Sequence, residues 1–228
     1  VSGSKMFITG GMTSRYATTA VRTDGPGIAG ISLLLIDLEA PGVTRTPLDK
    51  QGWWASDTAA LYFDEVFVPQ DHLIGPENGG FAGIMANFNG ERLGMAAGAA
   101  ASARVCLEEA IAWAQQRRTF GKRLADHQVI RHKIAAMLQR INATTAYLEH
   151  CAYRVQQGET PVADLCLLKV QATETLEFCA REASQILGGA SYLRGSRVER
   201  IYREVRVNAI GGGSEEIMRD LAARQLRL

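Results

Sequence analysis

The sequence changes its habit near residue 75, and that change restricts the folds open to it. Before it, short apolar or alternating runs at 6–9, 17–22, 31–38 and 60–68 are separated by Gly25-Pro26-Gly27, Ala40-Pro41-Gly42 and Ser56-Asp57. This is the punctuation of an antiparallel sheet. In the last run Leu61, Phe63 and Phe67 alternate with polar residues, and Pro69 closes it. Beyond Pro76 a single proline remains, Pro161, and the apolar period becomes helical.

The segment 81–116 reads as one long helix, loosely broken at Asn89-Gly90. Its stretch 93–103 is nearly all Ala, Gly, Ser and Met, so this face is expected to be buried against another helix. A second helix is expected over about 126–157, with Ile130, Ile134, Met137, Ile141, Leu148 and Val155 on one stripe. Gly158 ends it as a C′ residue. Thr160-Pro161 opens a third helix as N-cap and first residue. That helix carries Leu165, Leu168, Ala172, Leu176, Cys179, Ala183 and Ile186, and Gly188-Gly189 stops it. Residues 197–206 form a short charged helix. Ser214 caps a last one running towards Leu226, with Glu215 and Glu216 in its first turn. Three long amphipathic helices with short companions imply an antiparallel bundle. The β-part has too few strands to close a sheet alone. The chain opens at Val1 in what reads as the middle of a β-domain, so residues preceding this stretch are expected.

Composition narrows the function. Lys and Arg number 25 against 24 Asp and Glu, a balance unlike that of a phosphate-tracking nucleic-acid binder. A hydrophobic share of 46% excludes a disordered chain. No uncharged run approaches the roughly 18–20 residues of a membrane span. Cys106, Cys151, Cys166 and Cys179 form no C-x-x-C pair and lie at no ligand-like spacing to a His, nor do His72, His127, His132 and His150 share one, so no metal is assigned. The cysteines read as reduced core thiols in a reducing compartment.

Three places could carry chemistry. Glu91 follows Asn89-Gly90 and precedes Arg92 and an apolar run. Buried among apolar faces it would be a general base with a raised pKa; on the surface it would be an ordinary partner of an Arg. Gly211-Gly212-Gly213 before a helix N-terminus brings backbone N–H groups close to a ligand, or is a plain tight turn. Glu215 and Glu216 make a carbonyl or hydroxyl oxygen a better guest there than an anion. Arg117-Arg118-Thr119-Phe120-Gly121-Lys122 is a basic interhelical turn, suited to a pyrophosphate or simply solvated.

Taken in order, ten segments resemble the acyl-CoA dehydrogenases. They are Gly3-x-Lys5-x-Phe7-Ile8-Thr9, Gly52-x-x-x-Ser56-Asp57-Thr58, Val66-x-Val68-Pro69, Leu73-x-Gly75, Gly79-Gly80-Phe81, Gln116 to Lys122, Asp126-His127-Gln128, Gln185-Ile186-Leu187-Gly188-Gly189, Val198-Glu199-Arg200-x-Tyr202-Arg203-Glu204, and Ile210 with the glycines, Ser214, Glu215, Glu216 and Ile217. Each is weak alone, but together they span essentially the whole chain. The resemblance implies an α+β chain: 1–75 as the C-terminal half of a middle antiparallel β-domain, 76–228 as an all-α antiparallel four-helix bundle, and an N-terminal helical domain absent from this stretch.

The resemblance also implies FAD, an acyl-CoA thioester, and removal of an α proton by a carboxylate while flavin N5 accepts the β hydride, giving a trans-2-enoyl-CoA. Many members place the base just before the last helix in Tyr-Glu-Gly-Thr; that slot is Gly212 here. A group resembling the long-chain and isovaleryl dehydrogenases carries Glu-Arg-Leu on the first long helix, and this chain has Glu91-Arg92-Leu93. The implied base is therefore Glu91, with Arg92 near the substrate and the backbone N–H of Gly212 on the thioester carbonyl. By the same match Phe7 and Thr9 face the isoalloxazine. Arg117, Thr119, Phe120 and Gln128 hold the ADP half of a neighbouring subunit's FAD, as do Gln185, Gly188 and Gly189. Ser214 and Glu216 contact the FAD of their own subunit. A shared cofactor implies a homotetramer, a dimer of dimers, with an electron-transfer flavoprotein as acceptor. The implied place is the cytoplasm, or the mitochondrial matrix in a eukaryote. Two alternatives stand beside this reading: a related flavin monooxygenase or nitroalkane oxidase, which generally lacks a Glu at either position, and a non-catalytic bundle subunit. Trp53-Trp54 either shape the substrate side or pack the sheet.

Overall fold

The computed structural model describes residues 1–227 and divides into two compact units, Val1–Asn87 and the part from Phe88 onward. In the first unit the strands are β1 (Gly3–Thr9), β2 (Tyr16–Arg22), β3 (Ile31–Asp37), β4 (Val43–Pro47), β5 (Thr58–Phe63) and β6 (Leu73–Ile74). They form two antiparallel three-stranded sheets, β1-β5-β4 and β2-β3-β6. Ile36 from one sheet and Ala59, Leu61 and Phe63 from the other meet with Leu38 and Val66 in one core. Ala59, Leu61 and Phe63 of β5 turn to this core and Tyr62 turns outward, while Ala60 on the Tyr62 side is buried as well.

Two details depart from the sequence reading. The strand expected over 60–68 stops at Phe63, because the Asp64 N–H turns to the Gly42 carbonyl and the Val66 N–H to that of Val1. Phe67 is consequently exposed rather than alternating inward. Strand β4 was not anticipated; its sequence is mostly polar, and it lies at a sheet edge where Pro47 is tolerated. Strand β1 bulges between Lys5 and Ile8, which leaves Phe7 at φ 62° and exposed.

The helices are α1 (Gly80–Gln116), α2 (Gln128–Gln156), α3 (Val162–Leu187), α4 (Arg197–Glu204), α5 (Arg206–Ile210) and α6 (Glu215–Gln225). The expected break at Asn89-Gly90 is absent: α1 is continuous. A mid-helix Gly costs only about 1 kcal/mol, and the buried face Ala96, Ala99, Ala103, Cys106, Leu107, Ala110 and Ala114 outweighs it. The small-residue stretch is divided. Ala96, Ala99, Ala100 and Ala103 are buried, whereas Gly94, Ala97, Gly98 and Ala101 are exposed.

On α2, Ile130, Met137 and Ile141 are buried and Ile134 and Leu148 pack against them, but Val155 at the helix end is exposed. All seven residues of the α3 stripe are buried. Helix α3 begins at Val162 with Pro161 in the cap position, so Thr160 is not the N-cap. Gly158 has φ 83° just past α2, the left-handed C′ geometry. The four cysteines are buried and unpaired; burial pushes the Cys106 and Cys179 thiols up to about 12. No helix among the described residues is long and apolar enough to cross a membrane.

Candidate active site

The loop between α5 and α6 is the triple glycine. Gly212 and Gly213 hold φ 67° and 104°, conformations that disfavour a side chain. A Cβ on Gly212 would lie 2.7 Å from Met95 Sδ, and one on Gly213 2.5 Å from Met218 Cε. Ser214 then caps α6 by accepting the Ile217 N–H, as its position predicts. The Glu216 carboxyl, in that first turn, is held below the usual range by its own backbone N–H and by Ser214.

Two buried cations hold this loop. Arg92, 3% exposed, donates from Nε to the Gly212 carbonyl (3.4 Å) and from Nη1 to Asn89 Oδ1 (3.2 Å), and lies over the Phe88 ring. Lys169 of α3, 1% exposed, donates from Nζ to the Gly213 carbonyl at 2.8 Å. The helical spacing that places Arg92 inward places Glu91, one residue earlier, on the exposed side of α1. The dry pocket expected around Glu91 is therefore not formed by these residues. Two donors of Arg92 are turned to the protein's own carbonyls, so this side chain braces the loop.

A second group sits at the other end of the bundle. Strands β7 (Arg118–Thr119) and β8 (Lys122–Arg123) form a hairpin closed by Phe120-Gly121, at φ 49° and 80°. Positive φ at both central residues is the signature of a type I′ turn. What the sequence presented as a plain turn is a rigid tip, and its Phe120 is 96% exposed. Thr119 Oγ1 shares a hydrogen bond with His127 Nε2 (3.1 Å), and the Phe120 ring meets His127 edge-on. Arg117 and Gln128 are exposed. The salt bridge from Lys133 to Glu182 ties this end of α2 to the end of α3, so Gln185, Gly188 and Gly189 share it. Nothing lies within 4 Å of a Cβ on either of those glycines. An exposed aromatic, guanidinium and amide donors, and backbone open to close approach suit a cofactor with a planar ring and a pyrophosphate, as FAD has. From Lys169 to Gln185 is 16 residues of helix, about 24 Å. The hairpin group and the triple-glycine group are thus well separated on this unit.

In the first unit Phe7 and Thr9 are both exposed on β1. Trp53 and Trp54 are exposed as well, with Trp54 Nε1 donating to the Lys50 carbonyl, so neither packs the sheet. Lys169 escaped the sequence reading. The signal was there: a lone cation inside the buried arc of α3, flanked by Leu165, Leu168, Ala172 and Leu176.

The antiparallel β-unit and the helical bundle have counterparts among known proteins. The C-terminal domain of the acyl-CoA dehydrogenases matches residues 78–227. An acyl-CoA dehydrogenase of Alternaria alternata is 40% identical over 99% of this chain and 55% of its own length. The crystal structure of a probable acyl-CoA dehydrogenase from Mycobacterium abscessus superposes with a TM-score of 0.97 at 45% identity, covering 99% of this chain and 60% of that one. A glutaryl-coenzyme A dehydrogenase bound to glutaryl-CoA is similar at a TM-score of 0.95 and 30% identity, covering 99% and 58%. This chain belongs to the acyl-CoA dehydrogenase family, whose cofactor is FAD. It spans a little over half the length of these relatives.

Proposed function

We propose that this chain carries the proton-abstracting half of an FAD-dependent acyl-CoA dehydrogenase, with Glu91 as the base. The observation that supports it is the brace from Arg92 to the Gly212 carbonyl. It ties the residue next to Glu91 to the loop that offers the backbone donor, so base and donor are held by one contact. Gly212 supplies no second carboxylate, which would repel the first and disturb its ionisation.

The residues divide the work. A thioester α proton is acidic only if negative charge arriving on the carbonyl oxygen is stabilised. The Gly212 N–H receives that oxygen as an oxyanion-type donor. Glu91 takes the α proton on its carboxylate and becomes the neutral acid. When bound, FAD supplies the acceptor for the β hydride. Phe7 and Thr9 are offered to its ring, and Ser214 and Glu216 to the remainder on the same subunit. Arg117, Thr119, Phe120, Gln128, Gln185, Gly188 and Gly189 serve the cofactor of a neighbouring copy. Their distance from the glycine loop, about 24 Å along α3, supports that division and with it a homotetramer. An electron-transfer flavoprotein is the proposed acceptor; one solved structure similar to this chain, at 30% identity, is described as the electron transferring flavoprotein of Acidaminococcus fermentans.

The test is anaerobic titration of the FAD-loaded protein with acyl-CoAs of varied length and branching, following flavin absorbance. At least one should bleach the wild type. Glu91→Gln should retain FAD and show no bleaching; full bleaching by that variant would remove Glu91 from the reaction.

A further inference from the structure

Lys169 is the least expected side chain in the bundle. A primary ammonium at 1% exposure loses its hydration, which costs several kcal/mol unless a partner replaces it. Its hydrogen-bond acceptor is not a carboxylate but the backbone oxygen of Gly213. The groups acting on it electrostatically are Arg92 from α1 and Glu215 and Glu216 from α6. Burial lowers its pKa from the ordinary lysine value, Arg92 adds to that, and the two glutamates oppose it. The α3 backbone beneath it is fixed in turn: Thr173 Oγ1, also buried, donates to the Lys169 carbonyl (2.9 Å) and to that of Asn208 (3.3 Å). A methionine would fill the same space without the cost of burying a charge. What the ammonium adds is a grip on the loop.

The loop needs one. Three consecutive glycines have more freedom to lose than any other tripeptide. Arg92 holds the Gly212 carbonyl and Lys169 the next one. In a trans peptide C=O and N–H point in opposite directions. Drawing both carbonyls inward therefore turns the N–H groups of Gly213 and Ser214 outward; the Gly212 N–H lies in the preceding peptide, so the clamp restricts it only through the φ and ψ of Gly212.

We propose that Lys169 is a positioning residue of the active site: with Arg92 it clamps successive carbonyls of the triple-glycine loop, which orients the N–H groups of Gly213 and Ser214 directly and narrows the freedom of the Gly212 N–H offered to the thioester oxygen. The second half of that statement rests on the dehydrogenase reading; the clamp itself does not. Lys169→Met in the FAD-loaded protein separates them. Without substrate, amide hydrogen exchange across 211–214 should quicken roughly tenfold or more, the effect of one charge-assisted hydrogen bond. FAD content should be held, and the unfolding midpoint should move little, because leaving the Gly213 carbonyl without its donor is offset by no longer burying a charge. With substrate, kcat should fall by a similar factor while KM changes little. Unchanged loop exchange overturns the clamp, whatever the enzyme turns out to oxidise. Quickened exchange with unchanged kcat, in a protein whose wild type bleaches with acyl-CoA, overturns the aiming role alone. Should the Met variant fail to fold, Lys169→Gln, which keeps a neutral N–H donor, is measured in its place and must show the same quickening to a smaller degree; exchange equal to wild type counts against the proposal.

Discussion

The exposed side of α1 makes a prediction whose sign runs against intuition. Gly94 and Gly98 lie in the interior of a 37-residue helix. Neither has positive φ, and a Cβ on either would meet nothing within 4 Å. Alanine there reduces the freedom of the unfolded chain without adding strain, so each of Gly94→Ala and Gly98→Ala should stabilise by roughly 0.8–1 kcal/mol. The double variant should gain about 2 kcal/mol, equivalent to roughly 4–8 °C at the 2–4 °C per kcal/mol of a chain this size. Gly213→Ala is the control, since the same substitution at φ 104° drives a methyl to within 2.5 Å of the buried Met218 Cε. Left-handed strain and displacement of Met218 should together cost about 2–4 kcal/mol. Urea unfolding followed by helical circular dichroism, with m-values compared between variants, reads all three. Loss of stability in the α1 variants, or a gain at Gly213, would refute the reasoning from local space and backbone.

Two further outcomes follow from pairs the fold brings together. Thr144 and Thr175 share a 2.8 Å hydrogen bond between α2 and α3, and both are fully buried. Thr175→Val should cost about 1 kcal/mol, leaving the Thr144 hydroxyl only the long contact from Gln171 Nε2 (3.4 Å), and the double change to Val should cost less than the sum of the singles; strict additivity in a double-mutant cycle would show the hydroxyls to be independent. Asp57 accepts the Met12 N–H (2.6 Å) and the Thr13 hydroxyl (2.9 Å), and these hold its carboxyl below the usual aspartate range. Its folded value lies below its unfolded one of about 3.9, so its contribution is complete above that value and is lost as pH falls through the lower, folded value. The stability difference between wild type and Asp57→Asn should therefore shrink on acidification below about pH 4; a constant difference contradicts the assignment.

How much of this was legible beforehand follows from what each feature depends on. The α3 stripe was fully readable because a helix packed along its whole length writes its period into the sequence. Val155 was misread because at its end α2 meets α3 through polar groups, Arg154 on Asp164, and leaves the last apolar residue of the stripe outside. Strand β4 was invisible: an edge strand of polar residues has no alternation to show, and only its pairing with β5 makes it a strand. The turn itself was legible, but not its two-residue hairpin form, because an aromatic such as Phe120 rarely takes the positive φ that a type I′ loop needs. The Glu-Arg-Leu segment pointed to the site, but the inward turn of Arg92 and its reach to Gly212 join residues 120 positions apart. Lys169 needed the same long-range view, for a lysine in an apolar arc shows that a partner exists without saying which.

Glu91 is proposed to remove the α proton of the thioester. The most direct measurement is solvent exchange at that carbon: the FAD-loaded protein is incubated with an acyl-CoA in D2O, and deuterium at the α position is followed by mass spectrometry. The wild type should incorporate deuterium, and Glu91→Gln, binding the same acyl-CoA, should not. Incorporation at the wild-type rate in Glu91→Gln would place the base elsewhere.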